Sequence, residues 1–433
     1  MLTSIIICAV TVVLMIASIL FFPKLRIKKL NIDLYWVIAL TGAVVLLIVK
    51  RQYLPAVGQS MIANTAINPL KILVLFISMT ILSIFLDELG FFRFLASFIL
   101  KRAKSGQIRL FVYLYIMVSV LTMFTSNDII ILSFTPFICY FARSAKVDPI
   151  PFLCAEFVAA NTWSMALIIG NPTNIYLATA NGVDFLGYIK VSILPTIAAG
   201  IVAFAMLFVL FRKKLRTPIS GEPEQIVIKD KLLLWVGIAH LGVCTVFLAI
   251  GSYIGVEMWL VSVCAVGSLL IFNAVIAIAR RAKPGELIGC IKRIPYQLVP
   301  FLLSMFAMIV ILAEEGVTAK IAQLLGSDYA VVKYGIASFL SANIINNIPM
   351  SVLFSSIISS AASAESAVFA TVIGSNICAF FTPIGALAGI MWSSILNEHG
   401  YKFSYLNFLK MGVCIALPTL FAALGVLWLI VGF

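Results

Sequence analysis

Charge is scarce in this chain. Asp, Glu, Lys and Arg make up 11% of its 433 residues, against 63% hydrophobic ones, whereas a water-soluble domain carries about a quarter charged and about half apolar. With a mean hydropathy of +1.14, that shortage excludes a water-soluble fold. Histidine is nearly missing: His240 and His399 stand far apart, which argues against a histidine-built metal centre or catalytic triad. None of the eight cysteines forms a CxxC pair. Almost all fall inside apolar runs, where they read as small hydrophobes. A GxxxxGK[ST] loop is also lacking, so any energy input comes from an ion gradient or from a separate ATPase subunit.

What the chain has instead is apolar runs near the length of a bilayer crossing, about 20 residues of helix. The pattern predicts helices over 2–22, 32–49, 69–87, 108–125, 129–142, 150–180, 188–211, 232–251, 256–278, 296–313, 333–345, 348–360, 366–393 and 406–431. The first lacks a basic leader and is followed by Lys24, Arg26, Lys28 and Lys29, so it reads as a crossing rather than a cleaved signal. Two short pairs, 108–125 with 129–142 and 333–345 with 348–360, are joined by Ser126-Asn127-Asp128 and Asn346-Asn347. They read as re-entrant hairpins, which leaves about ten crossings, five in each half.

The net charge of +13 is spread in short clusters between apolar spans, a pattern of membrane orientation and not of nucleic-acid binding. With the N-terminus outside, 24 of the 30 Lys and Arg lie on the cytoplasmic side. Lys50 and Arg51 fall outside, where they can snorkel from a helix end. Residues 90–104, "GFFRFLASFILKRAK", read as an amphipathic helix at the cytoplasmic interface.

An internal repeat runs through the chain. Pro69, Ser78, Met79 and Gly90 recur 226 residues later as Pro295, Ser304, Met305 and Gly316. Asn161 stands nine residues before Gly170, as Asn376 does before Gly385, and Leu194-Pro195-Thr196 is answered by Leu417-Pro418-Thr419. Five crossings is an odd number, so the second copy inserts upside down. The expectation is an all-α polytopic membrane protein with two inverted repeats of five crossings, each with a re-entrant hairpin and a broken helix, an arrangement that recurs in secondary transporters. The halves are expected at 1–215 and 232–433, joined by a cytoplasmic linker at 216–231.

Four polar clusters interrupt the apolar sequence in matching places of the two copies. One is the tip Thr125-Ser126-Asn127-Asp128, and another is Gly170-Asn171-Pro172-Thr173-Asn174 within 150–180. Their partners are Ser341, Asn343, Asn346 and Asn347, and then Ser375-Asn376 with Thr382-Pro383-Ile384-Gly385. Lipid cannot satisfy the backbone of a tip or a break, so both must face protein or a water-filled cavity. Unwound carbonyls and Asn or Ser side chains can hold a cation, and helix N-termini can hold an anion. Asp128 is an ionisable group inside a membrane hairpin, a functional position by default. One central site follows, built from Ser126, Asn127, Asp128, Asn161, Gly170, Asn171, Thr173, Asn174, Asn343, Asn346, Asn347, Ser375, Asn376, Thr382 and Gly385. Na+ is the one metal ion that suits it, at Ser126, Asn127, Asn346 and Asn347. Glu156 is read near the cytoplasmic end and in reach of water, in either a structural or a coupling role. Asp87, Glu88, Glu314 and Glu315 are read as solvated helix ends.

"LDELGFFRFLA", "SNDIIILSFTP", "GNPTNIYLA", "NNIPMSVLF" and "VIGSNICAFFTPIGALAGIMW" resemble the ion transporter superfamily of arsenite permeases, citrate-type permeases and divalent anion:sodium symporters. The resemblance covers nearly the whole chain and is nearest to the arsenite permease branch. It implies a scaffold and a moving transport part around a midplane site, a homodimer, and in some members a separate ATPase subunit. It carries functional roles to Asn127, Asp128, Asn346, Asn347, Asn171, Thr173, Asn174, Thr382 and Gly385.

The expected function is secondary transport of a small anion or oxyacid, arsenite- or antimonite-type or a carboxylate, coupled to H+ or Na+ without a further cofactor. The expected setting is the inner cell membrane with both termini outside, the partners being the bilayer and the small inorganic or organic solute, not nucleic acid. Na+/H+ antiport is one alternative. A lipid phosphatase, the enzymatic alternative, needs clustered acids and an Arg at the tips, where this chain has Asn, Ser and one Asp.

Overall fold

The computed structural model describes residues 1–22, 24–27, 30–64, 68–103, 106–216, 228, 230–251, 254–361 and 365–431. Most of the expected linker at 216–231 lies outside the described residues. The first half runs α1 (Leu2–Phe21), a two-stranded antiparallel hairpin β1–β2 (Lys24–Ile27 and Leu30–Asp33), α2 (Leu34–Val49), α3 (Leu54–Ile62), α4 (Pro69–Glu88) and α5 (Phe91–Ala103). It continues with α6 (Gln107–Phe124), α7 (Asn127–Ala145), α8 (Ile150–Trp163), α9 (Pro172–Ala180) and α10 (Phe185–Phe211). The second half runs α11 (Lys231–Gly251), α12 (Met258–Ala279), α13 (Gly285–Arg293), α14 (Leu298–Glu314), α15 (Val317–Leu325) and α16 (Ala330–Ile345). Then come α17 (Asn347–Ala361), α18 (Glu365–Ile377), α19 (Leu387–Glu398), α20 (Tyr405–Met411) and α21 (Leu417–Val431).

Apolar runs become helices here because a helix satisfies its own backbone, which lipid cannot do. Polar side chains mark the starts. Asn68 accepts from Leu70 N at 2.8 Å and opens α4, and Asp184 accepts from Gly187 N at 2.5 Å and opens α10. Among the described residues, nine helices are long and apolar enough to cross a membrane, or ten if the bent pair Leu34–Val49 and Arg51–Ile62 is one span. That pair meets at 97°, so α3 is a turn of helix the apolar pattern did not announce. The interfacial helix expected at 90–104 is α5.

Packing recurs with a step of ten helices. α1 lies on α2 as α11 lies on α12, and α2 packs on α14 as α12 packs on α4. In the same way α6 packs on α8 and α16 on α18, while α7 meets α19 and α17 meets α9. Two sets result. α1, α2, α4, α11, α12 and α14 form one bundle, and α6–α10 with α16–α21 form another around α8 and α18, which are buried nearly throughout.

Two expectations about charge are corrected. Asp87 is only 2% exposed, and its carboxylate meets Arg293 Nη2 at 2.7 Å while Glu88 meets Nη1 at 2.8 Å. Glu315 meets Lys50 Nζ at 2.6 Å. These acids end α4 and α14, where the helix dipole disfavours negative charge, so a base from the other half of the chain compensates each. Lys50 therefore has a partner besides the interface. Burial would raise the Glu315 carboxyl, but Lys50 Nζ at 2.6 Å and the terminal amine at 3.0 Å outweigh it and hold the group at about 2. That contribution to stability is full above about pH 4.5 and fades as pH falls toward 2. Glu156 is fully buried, not near water: Thr135 Oγ1 donates to its carboxylate at 3.1 and 3.2 Å from α7.

Each ion pair among the described residues joins segments that the crossing count puts on one side. Lys71–Glu257 and Lys50–Glu315 are at one end, and Arg293–Asp87, Arg280–Asp230 and Lys214–Asp148 at the other. Replacing Arg293 with Ala strands the buried Asp87 and is expected to cost about 3 kcal/mol. Lys214→Ala removes an exposed pair and is expected to cost less than about 1 kcal/mol. Unfolding of the purified variants in detergent measures both.

Candidate functional site

The two hairpin tips and the two broken helices meet at the centre of the second bundle. α8 stops at Trp163, residues 164–166 and 168–170 form short 3-10 turns, and α9 resumes at Pro172. α18 stops at Ile377, and α19 resumes at Leu387. The first break is thus longer than the expected 170–174 and starts at Ser164. Proline explains the restart at 172, since it fits the first turn of a helix but cannot continue one.

Asparagine side chains knit the breaks. Asn376 Nδ2 donates to Asn174 Oδ1 at 2.7 Å, and Asn376 Oδ1 accepts from Asn171 Nδ2 at 2.7 Å and from Ser164 Oγ at 3.0 Å. Asn174 Nδ2 donates in turn to the carbonyl of Ser164 at 2.8 Å, and Asn171 Oδ1 caps α9 at Thr173 N. The hydroxyls of Thr173 and Ser375 are 3.2 Å apart. Asn376 and Asn171 come from opposite halves of the chain, so the two copies close on one another here.

The tips join from either side. Asn127 Nδ2 donates to Asn161 Oδ1 at 2.9 Å, and Asn161 Nδ2 to Phe157 O at 2.8 Å. Asn347 Nδ2 donates to Ser375 O at 3.2 Å, and Asn347 N to Gly385 O at 2.9 Å. Asn346 holds φ 74°, a strained value for a residue with a Cβ. Its amide keeps it there by donating to Ile384 O at 2.9 Å. Among the described residues, the tips carry three buried acceptors without a hydrogen bond inside the protein: Ser126 Oγ, Asn127 Oδ1 and Asn347 Oδ1.

Of the site residues expected from sequence, Asn127, Asn161, Asn171, Thr173, Asn174, Asn347, Ser375 and Asn376 share one connected network through Ser164. Asn343 and Thr382 form a separate pair at 2.7 Å, adjoining the second tip. Asp128 stands on the first turn of α7, half-buried and outside the network. Ser164 was missed because "WSMALIIG" reads as unbroken apolar helix, and no local signal placed the break there. Among the described residues, no Lys, Arg or His side chain bonds to the network, and no group of three or more His, Cys, Asp or Glu is present. The chemistry on offer is neutral amides and hydroxyls, suited to a hydroxylated solute or to a hard cation held by oxygen.

Gly170 and Gly385 allow the sharp returns. A Cβ on Gly170 would lie 2.4 Å from Ser164 O, and one on Gly385 would lie 2.4 Å from Cys378 O. Gly170→Ala and Gly385→Ala are each expected to destabilise by about 2 kcal/mol, with Gly267→Ala, which faces open space, close to neutral. Thermal unfolding of the three variants checks the contrast.

Known proteins agree with this architecture. The Escherichia coli K12 arsenical pump membrane protein is 28% identical over 375 residues, covering 83% of this chain and 86% of that one. The putative arsenical pump membrane protein of Bacillus subtilis strain 168 is 24% identical, covering 80% and 85%. Among solved structures, the Alcanivorax borkumensis YdaH transporter superposes with a TM-score of 0.58 at 13% identity over 100% of this chain and 98% of that one. The fold is therefore that of a polytopic membrane transporter. The family model described as Citrate transporter, CitMHS, matches residues 27–372, most of the length, and the chain belongs to that family, within the ion transporter superfamily.

Proposed function

We propose that this chain is a secondary transporter of a small oxyacid of the arsenite or antimonite type, coupled to H+ or Na+, working by alternating access between two halves inserted in opposite directions. The observation that carries the reading is the pair of buried acceptors Asn127 Oδ1 and Asn347 Oδ1, one on each tip, in a network with no cationic side chain. Free acceptors suit a ligand that donates hydrogen bonds or a bare cation. An uncharged trihydroxy acid such as arsenous acid brings three O–H donors. A dicarboxylate brings only acceptors and negative charge, and would need cations to enter with it. The names of the bacterial relatives support the first class, and the family name keeps the second as an alternative, with Na+ held at Ser126, Asn127, Asn346 and Asn347. Na+/H+ antiport fits less well, since among the described residues Asp128 and Glu156 are the two carboxylates near the tips and breaks.

Asp128 is the proposed proton carrier, being the acid at the tip of the moving hairpin. Asp128→Asn is expected to abolish flux driven by an imposed pH gradient in proteoliposomes while insertion is retained. Full flux would remove Asp128 from the mechanism. Asn127→Ala and Asn347→Ala are each expected to weaken substrate binding more than about tenfold, some 1.4 kcal/mol. A thermal-shift screen of the purified protein against arsenite, antimonite, citrate, succinate, sulfate and Na+ tests the substrate class, because a ligand of the folded state raises its stability. The reading expects arsenite and antimonite to stabilise without Na+. Stabilisation by citrate or succinate only when Na+ is present would replace it with the carboxylate alternative.

A further inference from the structure

One buried acid has no place in the network. Glu156 lies midway along α8 and is 0% exposed. Its neighbour Phe157 stacks on Trp392 of α19, with ring centroids 4.9 Å apart, and meets Phe408 of α20 edge-on at 5.9 Å. Among the described residues no Lys, Arg or His pairs with the Glu156 carboxyl. Its partner is the hydroxyl of Thr135 on α7, 3.1 Å from Oε1 and 3.2 Å from Oε2. A hydroxyl has one hydrogen and two lone pairs. It donates to one of these oxygens and can accept an O–H from the other, so the pair fits a carboxyl that holds a proton. A bare carboxylate would be left buried with no compensating charge.

The second copy closes the same place without an acid. Thr135 stands eight residues after Asn127, as Ser355 does after Asn347, and Glu156 stands five before Asn161, as Thr371 does before Asn376. α7 packs on α8 as α17 packs on α18. Ser355 and Thr371 are both buried, yet Ser355 Oγ has no hydrogen bond, and Thr371 Oγ1 donates to Ala367 O of its own helix at 2.7 Å. Hydroxyls therefore suffice for packing at this position, and the carboxyl of the first copy is an addition that the fold does not require.

The acid is also aligned with the proposed proton carrier. Thr135 follows Asp128 by two turns on one face of α7. The elements packed on α8 bring other titratable groups to its buried length: Cys139 on α7, Tyr115 on α6 and Tyr188 on α10, besides Cys154 of α8 itself. Both tyrosines already donate their protons to carbonyls, Gly200 O at 2.7 Å and Met165 O at 3.0 Å. Arg143 of α7 lies at the exposed end, where its Nη2 donates to His399 O at 2.9 Å. We propose that Glu156 is a second proton-carrying site of the transport cycle, taking a proton from water and returning it to water, with the Thr135 hydroxyl as its partner in the loaded form. The proton joins one carboxyl oxygen and later leaves it, and no other bond changes. The inference rests on the proton-coupled form of the transport reading and adds a second acid to Asp128.

Infrared difference spectra of the protein in lipid test it without a known substrate. Wild type minus Glu156→Gln is expected to show the C=O stretch of a protonated carboxylic acid at neutral pH. That band is expected to persist in Asp128→Asn, to shift on transfer to D2O, and to vanish reversibly as pH is raised. A missing band, or one that ignores both D2O and pH, overturns the proposal. Should Glu156→Gln fail to fold, Glu156→Thr, which installs the residue type of the second copy, serves in its place. Proteoliposomes supply the second readout. With a solute that the wild type carries, Glu156→Gln is expected to lower uptake driven by a pH gradient about tenfold and to leave solute–solute exchange within about twofold. Equal loss of both, as a merely structural role predicts, or loss of neither, overturns the proposal. A D2O-sensitive Glu156 band in a protein that carries no solute of the screen refutes the transport reading and leaves the proton site standing.

Discussion

A helix that stops inside a bilayer leaves carbonyl oxygens that lipid cannot satisfy, and every such oxygen must find a donor within the protein. In this chain asparagine amides supply several of these donors, alongside the hydroxyls of Tyr188 and Ser192, which serve Met165 and Ala166. Asn174 serves Ser164 and Leu167, Asn346 serves Ile384, and Asn347 serves Ser375. Each amide that closes a break also has a carbonyl oxygen left to place. Asn174 places its oxygen on Asn376, whereas Asn347 places none. The requirement to satisfy broken backbone and the provision of free acceptors are thus met by the same side chains. The repeat arranges them so that the two halves supply each other: Asn376 of the second copy holds Asn171 and Asn174 of the first.

The charges are kept apart from this centre. Arg293 with Asp87 and Glu88, and Lys50 with Glu315, fasten the ends of α4 and α14. They lie in the bundle of α1, α2, α4, α11, α12 and α14, not among the amides. Glu156 is in the other bundle, fully buried and bonded to Thr135. Asp128 stands on the first turn of α7, beside a tip that bonds inward through Asn127. A charge-clasped frame thus surrounds a centre with no cationic side chain among the described residues.

Much of this was legible in the sequence, for physical reasons. Tips and breaks show because Asn, Ser, Gly and Pro are conspicuous in apolar runs, and the matching of Asn161–Gly170 with Asn376–Gly385 placed both breaks on one site. What stayed hidden depends on partners distant in sequence. Asp87 reads as a solvated helix end until Arg293, from the other half of the chain, is brought beside it. Glu156 reads as near water until α7 covers it. Ser164 looks like one more helical residue, because besides the local carbonyl of Asn161 its hydroxyl bonds to Asn376, far away in sequence. The helix after the bend, Leu54–Ile62, also left no apolar signature, since it is short and less hydrophobic than α2.

The account stands on the direct bond between the two copies at Asn171 and Asn376. A double-mutant cycle measures it: unfolding free energies of Asn171→Ala, Asn376→Ala and the double variant, in the same detergent. A coupling of about 1 kcal/mol or more is the predicted result. Additivity within about 0.5 kcal/mol would contradict it, and with it the claim that the two halves close one site between them.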